Sequence, residues 1–320
     1  MAGAQESVVS AISSVNLGDI QQYQNLAVVP LLKKNGGSRL EKLVLEEALQ
    51  NGLKIEETAQ RDNDVAVRNV SELAVNNDTG KDVLIVAGEY LVGGGQNRMV
   101  SASVYLAAGY QGKIPVRCVE HGRSRGQSRG FGYGGHTTPS VKHAKDQDET
   151  WHEVATTLYM TGTESHTQDF SQVMAQKSED LEAIARRFAI KPSQVGFVAV
   201  IGMPDNKKYV LEFFDDPEIM KKHYDKIMNG IVAEAIPHSS ARLSVDKGEI
   251  TQFLEEIKSA TLTPGHVASK GQEYEIITPS ASGSTLICED DTTTYMTVAS
   301  SKPFMQGSNS MVLPPKRKRD

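Results

Sequence analysis

Acids, amides and arginines gather at the ends of β-prone runs between residues 83 and 123, VLIVAGEYLVGGGQNRMVSASVYLAAGYQGKIPVRCVEHGR. Glu89 or Glu120 could accept a proton or orient an attacking water. Arg98 and Arg123 could hold a phosphate, or keep those carboxylates ionised. Gln96 and Asn97 offer donors and acceptors to a sugar hydroxyl or a base edge. Cys118 as a nucleophile needs a nearby base. His121 is close in sequence, but three residues along a strand put the two side chains on opposite faces. Cys118 therefore reads more simply as a small buried strand residue. The whole set has a second reading. Glu and Arg are rarely buried unless paired, so these residues could equally be an internal network that fixes strand packing or a subunit interface. Both readings stay open at this level.

Other chemistry-bearing patterns are weaker. Five of the eight histidines (His121, His136, His143, His152, His166) fall within 46 residues. Imidazole is the commonest metal ligand, but the spacing matches no metal signature. His152-Glu153 is not followed by His at 156, so the HExxH pattern fails. No metal ligand set is expected, and no cofactor is required. GGGQN at 93–97 lacks the Lys-Ser/Thr ending of a phosphate-cradling loop, and GFGYGG at 130–135 does not join a strand to a dinucleotide helix. Residues 122–135 interleave Arg123, Arg125 and Arg129 with Phe131 and Tyr133, a mixture that could bind single-stranded RNA by charge and stacking. A lid or interface loop explains it as well.

The bulk numbers narrow the classes. The chain has 320 residues, 39% hydrophobic and 23% charged, enough for one large core or two domains. Thirty-four basic and 40 acidic residues give a net charge of −6, which argues against a generally basic nucleic-acid binder. Cys118 and Cys288 imply neither a disulfide framework nor a metal pair, so a reducing, cytoplasmic setting is expected. The first residues lack a basic and a long apolar region, and no run of about 18 apolar residues occurs, so neither a signal peptide nor a membrane helix is expected. The sequons at Asn69 and Asn77 are then idle. The PPKRKRD ending is either a solvated tail or, in a eukaryotic host, a nuclear import signal.

Periodicity places these residues. Residues 1–23 read as a short helix or loose arm. Residues 24–121 are β-rich, with strands at 26–32, 65–70, 83–92, 99–108 and 114–120, and one short helix near 43–51. Residues 122–149 read as a long Gly/Ser/Arg-rich loop, of the kind that is usually functional or disordered. Residues 150–300 read as helices and strands. Thr150 with Glu153 suggests a capping box. Helices are expected at 179–189, from Pro217, and from about 246. Strands are expected at 195–203, 209–214, 272–278 and 284–299. Residues 301–320 form a basic tail. The predicted class is α+β, a β-rich sandwich or barrel-like portion packed with a helix-and-strand portion.

The motif order LEEALQNGL (45–53), GEYLVGGGQNR (88–98), IPVRCVEHGR (114–123), Gln147 to Val154, VGFVAVIG (195–202) and FFDDPE (213–218) resembles the ARPP-1 type domain. That family is named for its association with ADP-ribosylglycohydrolases and rhodanese-phosphatase-superfamily proteins. The likeness spans roughly 24–299. It implies a link to NAD or ADP-ribose metabolism and brings no reaction with it. The family pattern maps onto Gly88, Glu89, Gly93, Gln96, Asn97, Arg98, Cys118, Glu120, Gly122 and Arg123. His121 stands where the family commonly has Gln, and Ser124 where it commonly has an aromatic. These departures weaken the case for an unaltered ligand site.

Two functions follow as expectations. The first is a non-catalytic binding or self-assembling protein, a homo-oligomer or a receptor for a nucleotide-derived small molecule. The second is a hydrolase acting on ADP-ribose or a related nucleotide-sugar phosphate. In it Glu89 or Glu120 is the base, and Arg98 and Arg123 clamp the phosphate. RNA binding through 122–135 is the weakest reading.

Overall fold

The computed structural model describes residues 2–33, 41–62, 65–123 and 130–300. The first half contains α1 (Ala2–Ser13), β1 (Val15–Leu17), β2 (Gln21–Tyr23), β3 (Leu26–Lys33), β4 (Lys42–Val44), α2 (Leu45–Gln50), β5 (Leu53–Asp62) and β6 (Val65–Asn77). It continues with β7 (Asp82–Ile85), β8 (Glu89–Gly93), β9 (Arg98–Val100), β10 (Val104–Leu106), β11 (Gln111–Cys118) and β12 (Phe131–His136). The second half holds α3 (Pro139–Lys142), α4 (Gln147–Thr161), α5 (Ser171–Gln176), α6 (Ser178–Ala185), β13 (Gln194–Gly202), β14 (Lys207–Phe214), α7 (Pro217–Ala235) and α8 (Lys247–Lys258). Four strands close the chain: β15 (Thr261–Val267), β16 (Gln272–Ile277), β17 (Ala281–Ile287) and β18 (Thr293–Ser300). The class is α+β, as the periodicity predicts.

Three sheets result. The largest has the order β1-β3-β13-β14-β18-β17-β16-β15, with β2 also on β3. A six-stranded sheet runs β12-β8-β9-β11-β6-β5, and a small one β10-β7-β4. The strand β13 shows why the largest sheet is central. All nine of its residues are buried, and alternate side chains face opposite layers. Phe197, Ala199 and Ile201 pack with Met220, Tyr224 and Ile227 of α7. Val198 and Val200 pack with Ile250 and Phe253 of α8 and Val8 of α1.

The helix α7 lies between the largest sheet and the six-stranded one. Its apolar residues share one core with Tyr90 and Met99 of the latter. Asp216 caps it by accepting from the Glu218 amide, and Pro217 fits its first turn. A Cβ on Gly230 would stand 2.3 Å from the Thr137 carbonyl oxygen. That glycine lets the end of β12 lie directly on the helix.

Several expectations change. The run 83–92 is two strands, because Gly88 turns the chain at φ +92°. The run 99–108 is also two. The stretch 122–149 is not one long loop: β12 and α3 occupy part of it, with Gly134 and Gly135 inside the strand where no side chain obstructs Tyr90. The capping box at Thr150 gives way to Asp146, whose carboxylate accepts from the Glu149 amide three residues further along the helix. Thr150 instead donates to the Asp146 carbonyl. The two closing strands are four. The division into a β-rich first portion and a later portion also mixes in space, since β1–β3 complete the sheet of β13–β18. Asn77 is buried and its amide donates to the Lys81 and Ala107 carbonyls. The Asn69 side chain, Ser124, Arg125, Arg129 and the 301–320 tail lie outside the described residues and side chains.

Candidate functional site: a split polar cluster, a buried Glu–His–His group and a charged cleft

The residues singled out by sequence do not form one site. Glu120, Arg123, Asn97 and Gln96 do come together. Arg123 is held to Glu120 by its Nε at 2.9 Å and by a terminal nitrogen at 2.7 Å. Its other donors reach the carbonyls of Gly93 and Gly94 and the Asn97 Oδ1. The Asn97 backbone amide donates to Glu120 at 3.0 Å, and its side chain donates to Asp169 at 3.0 Å. Asp169 in turn accepts from the Ser171 amide and hydroxyl. Burial alone would raise the Glu120 carboxyl, but the bonds from Arg123 and Asn97 hold it below the ordinary carboxylate range. The loop 93–97 is thus clasped onto the chain at 119–123 and 169–171. Donor and acceptor capacity is spent inside the protein, as in a structural network.

Arg98, the first residue of β9, is 1% exposed. It donates to the Gln96 carbonyl and side chain and stands 3.9 Å from Glu57, which also accepts from the Gly95 amide. Gln96 donates to the His121 carbonyl at 3.2 Å. Cys118 is buried, its backbone exchanges both hydrogen bonds with the Gln147 side chain, and burial pushes its thiol pKa up. His121 is exposed and meets Trp151 edge-on, ring centroids 4.6 Å apart. Replacing His121 by alanine should therefore cost no more than about 1 kcal/mol. Urea unfolding of the variant checks this. Phe131 belongs to a core and Tyr133 packs against it, so neither is a free stacking platform for RNA.

Glu89 stands apart, at the start of β8. Residue pairing sets it directly opposite His136 of β12. From the facing helix α7 comes His223, its Nδ1 3.8 Å from Glu89 Oε1. The three side chains are 1%, 2% and 1% exposed, and their ligating atoms all lie within 4.8 Å of one another. The second Glu89 oxygen accepts from the Val86 amide at 2.8 Å. Burial pushes the Glu89 carboxyl up to about 8, and burial drives the His223 imidazole down to about 3. His136 is lowered for the same reason. Sequence could not announce this trio. Only strand register and helix packing join the three residues, and no local spacing encodes either.

A third feature, a cleft, has no signature in any one segment of the sequence. The cleft, of about 380 Å³, opens between the sheets. Arg117 and Lys145 line one wall, and Glu273 and Glu275 the other. The Arg117 guanidinium is held by the Ala144 and Lys145 carbonyls. Glu273 accepts from the Ser103 amide, and burial raises its carboxyl to about 7. Lys142 and Thr297, which also line the cleft, join Glu212 and Tyr295 in a buried hydrogen-bonded ionic network. Among the described residues no helix is long and apolar enough to cross a membrane.

Compared with known proteins, residues 14–299 match the model of the ARG and Rhodanese-Phosphatase-superfamily-associated Protein domain, ARPP-1. No curated protein and no solved structure matches the chain.

Proposed function

The chain belongs to the ARPP-1 family, and from that premise we propose that it is a non-catalytic binding protein whose cleft takes a nucleotide-sugar phosphate of the ADP-ribose class. The observation that carries this reading is the cleft with opposed charges. Arg117 and Lys145 can meet a phosphate, while Glu273 and Glu275 can accept from ribose hydroxyls. Its size is that of an ordinary small-molecule site. The Arg117 fork is already oriented by two carbonyls, so little is lost in ordering it on binding. The non-catalytic part of the reading is supported by the Glu120–Arg123 clasp. Its carboxylate is spent on the chain itself rather than on a substrate proton.

Thermal unfolding of the full chain with ADP-ribose, NAD, ADP and inorganic phosphate tests the reading. At saturating ligand the expected rise is a few degrees for ADP-ribose, lost in Arg117→Ala. No rise with any of the four sinks it. Breakdown of ADP-ribose during the measurement would favour the hydrolase instead.

Among the described residues, an exposed sheet edge offers a surface for self-association. The strand β15 ends the largest sheet and is mostly exposed, with Val267 60% accessible. An open strand edge can pair with a second copy, and light scattering of the full chain reads the outcome.

A further inference from the structure

We propose that Glu89, His136 and His223 bind one divalent first-row transition ion, of the zinc or ferrous class, between the six-stranded sheet and α7. This site is separate from the charged cleft and does not rest on the ligand assigned there.

The donor set is the first argument. Two imidazoles and a carboxylate suit zinc or non-haem iron, whereas magnesium and calcium favour oxygen ligands. The second is satisfaction. Glu89 Oε1 and both ring nitrogens of His136 have no hydrogen-bond partner, although all are buried, and the His223 nitrogen that faces Glu89 is its Nδ1. Each such orphan costs about 1–3 kcal/mol, and buried polar side chains are normally paired. A single ion among the three would engage one atom of each at once.

The third argument is geometry. The ligands come from three elements, and two of them face each other across an antiparallel pair. Ligands about 2.0–2.1 Å from a tetrahedral ion lie roughly 3.3 Å apart. The 3.8 Å between His223 and Glu89 needs a small contraction to reach that, and the group as a whole, within 4.8 Å, must close further around the ion. The side chains are also oriented from behind. The Val86 amide anchors the second Glu89 oxygen, and the His223 ring stacks on Phe214 at 5.0 Å and 18°. Gly230 permits the close seating of Thr137, next to His136, on the helix. The Tyr133 hydroxyl lies within hydrogen-bond reach of the Glu89 carboxyl. An ion held in this way would tie α7 to β8 and β12.

The test uses the full chain, freed of metal by refolding in chelator and then titrated with Zn²⁺, or with Co²⁺ as a visible probe. Metal is added both to the folded protein and during refolding, because the site is enclosed. We expect one equivalent per chain and a rise in Tm of about 5 °C at a hundredfold excess over Kd. X-ray absorption of the zinc-loaded protein should show two imidazoles near 2.0 Å, a distance typical of zinc–nitrogen bonds at about that value. His223→Gln and Glu89→Gln should each lose the equivalent, and His121→Ala should keep it. If the wild type takes up no metal by either route, the proposal fails and buried water is the better occupant. It fails equally if the variants keep full stoichiometry, which would place the ion on surface histidines. Should both variants misfold, the absorption spectrum of the wild type decides alone, and a metal shell without histidine overturns the assignment.

Discussion

Lys142→Met should destabilise the protein by about 3–5 kcal/mol, the expected cost of leaving a buried charge without its partner. The Lys142 and Glu212 side chains are 3% and 1% exposed and form a direct ion pair. Glu212 also accepts from the Tyr295 hydroxyl at 2.6 Å and from Thr297 at 3.0 Å. Those two bonds cannot neutralise it. Methionine matches the lysine stem in the channel beside Gly88, where a Cβ would come within 2.7 Å of Lys142 Cε. The loss should therefore be electrostatic rather than steric. Adding Glu212→Gln removes the stranded charge and keeps one acceptor oxygen for one of the two hydroxyls, while its amide NH2 can donate to the other. The double variant should recover at least about half of the loss. Urea midpoints at constant slope give both numbers. A single variant within about 1 kcal/mol of wild type would mean that water already reaches Glu212.

Glu120→Gln should cost about 2–3 kcal/mol and leave ADP-ribose binding unchanged. The substitution preserves shape but removes the charge from two short bonds to Arg123, and charge-assisted bonds contribute about 1.5–3 kcal/mol. Arg123 then loses its counter-ion while still holding the Gly93 and Gly94 carbonyls. Because the side chain of Arg123 is 30% exposed, water offsets part of the loss. A structural clasp predicts a lower unfolding midpoint with the ligand-induced shift intact. A catalytic or ligand-holding Glu120 predicts the reverse: near-normal stability with the shift or the turnover abolished. The two readings left open by the sequence are thus separated by one variant measured in two ways.

Much of the local structure was legible. The apolar run at 195–202 becomes a fully buried strand, and Asp216-Pro217 starts a helix where cap chemistry requires one. The motifs that resemble ARPP-1 lie within the matched range 14–299. Of the polar set near 89–123, Glu120, Arg123, Asn97 and Gln96 meet in the structure. Legibility failed where a residue's role depends on what lies across a ladder or under a helix. Glu89 reads in sequence as the companion of Glu120, yet it faces His136 and His223 instead. Lys142 reads as part of a loop, yet it is buried against Glu212. The two closing strands became four because Gly271 and the turns after Ile277 and Ile287 reverse the chain more often than the hydrophobic pattern shows.

The sequence by itself determined which segments extend and which coil, because side-chain period and capping act over a few residues. It also determined that a polar set rich in acid and arginine would sit on strand ends near 89–123. Only the tertiary structure decided how that set divides. Strand register and the seating of α7 against β12 at Gly230 are long-range choices, made by packing the whole core at once. They turned Glu120 and Arg123 inward as a clasp and gave Glu89 two buried histidines.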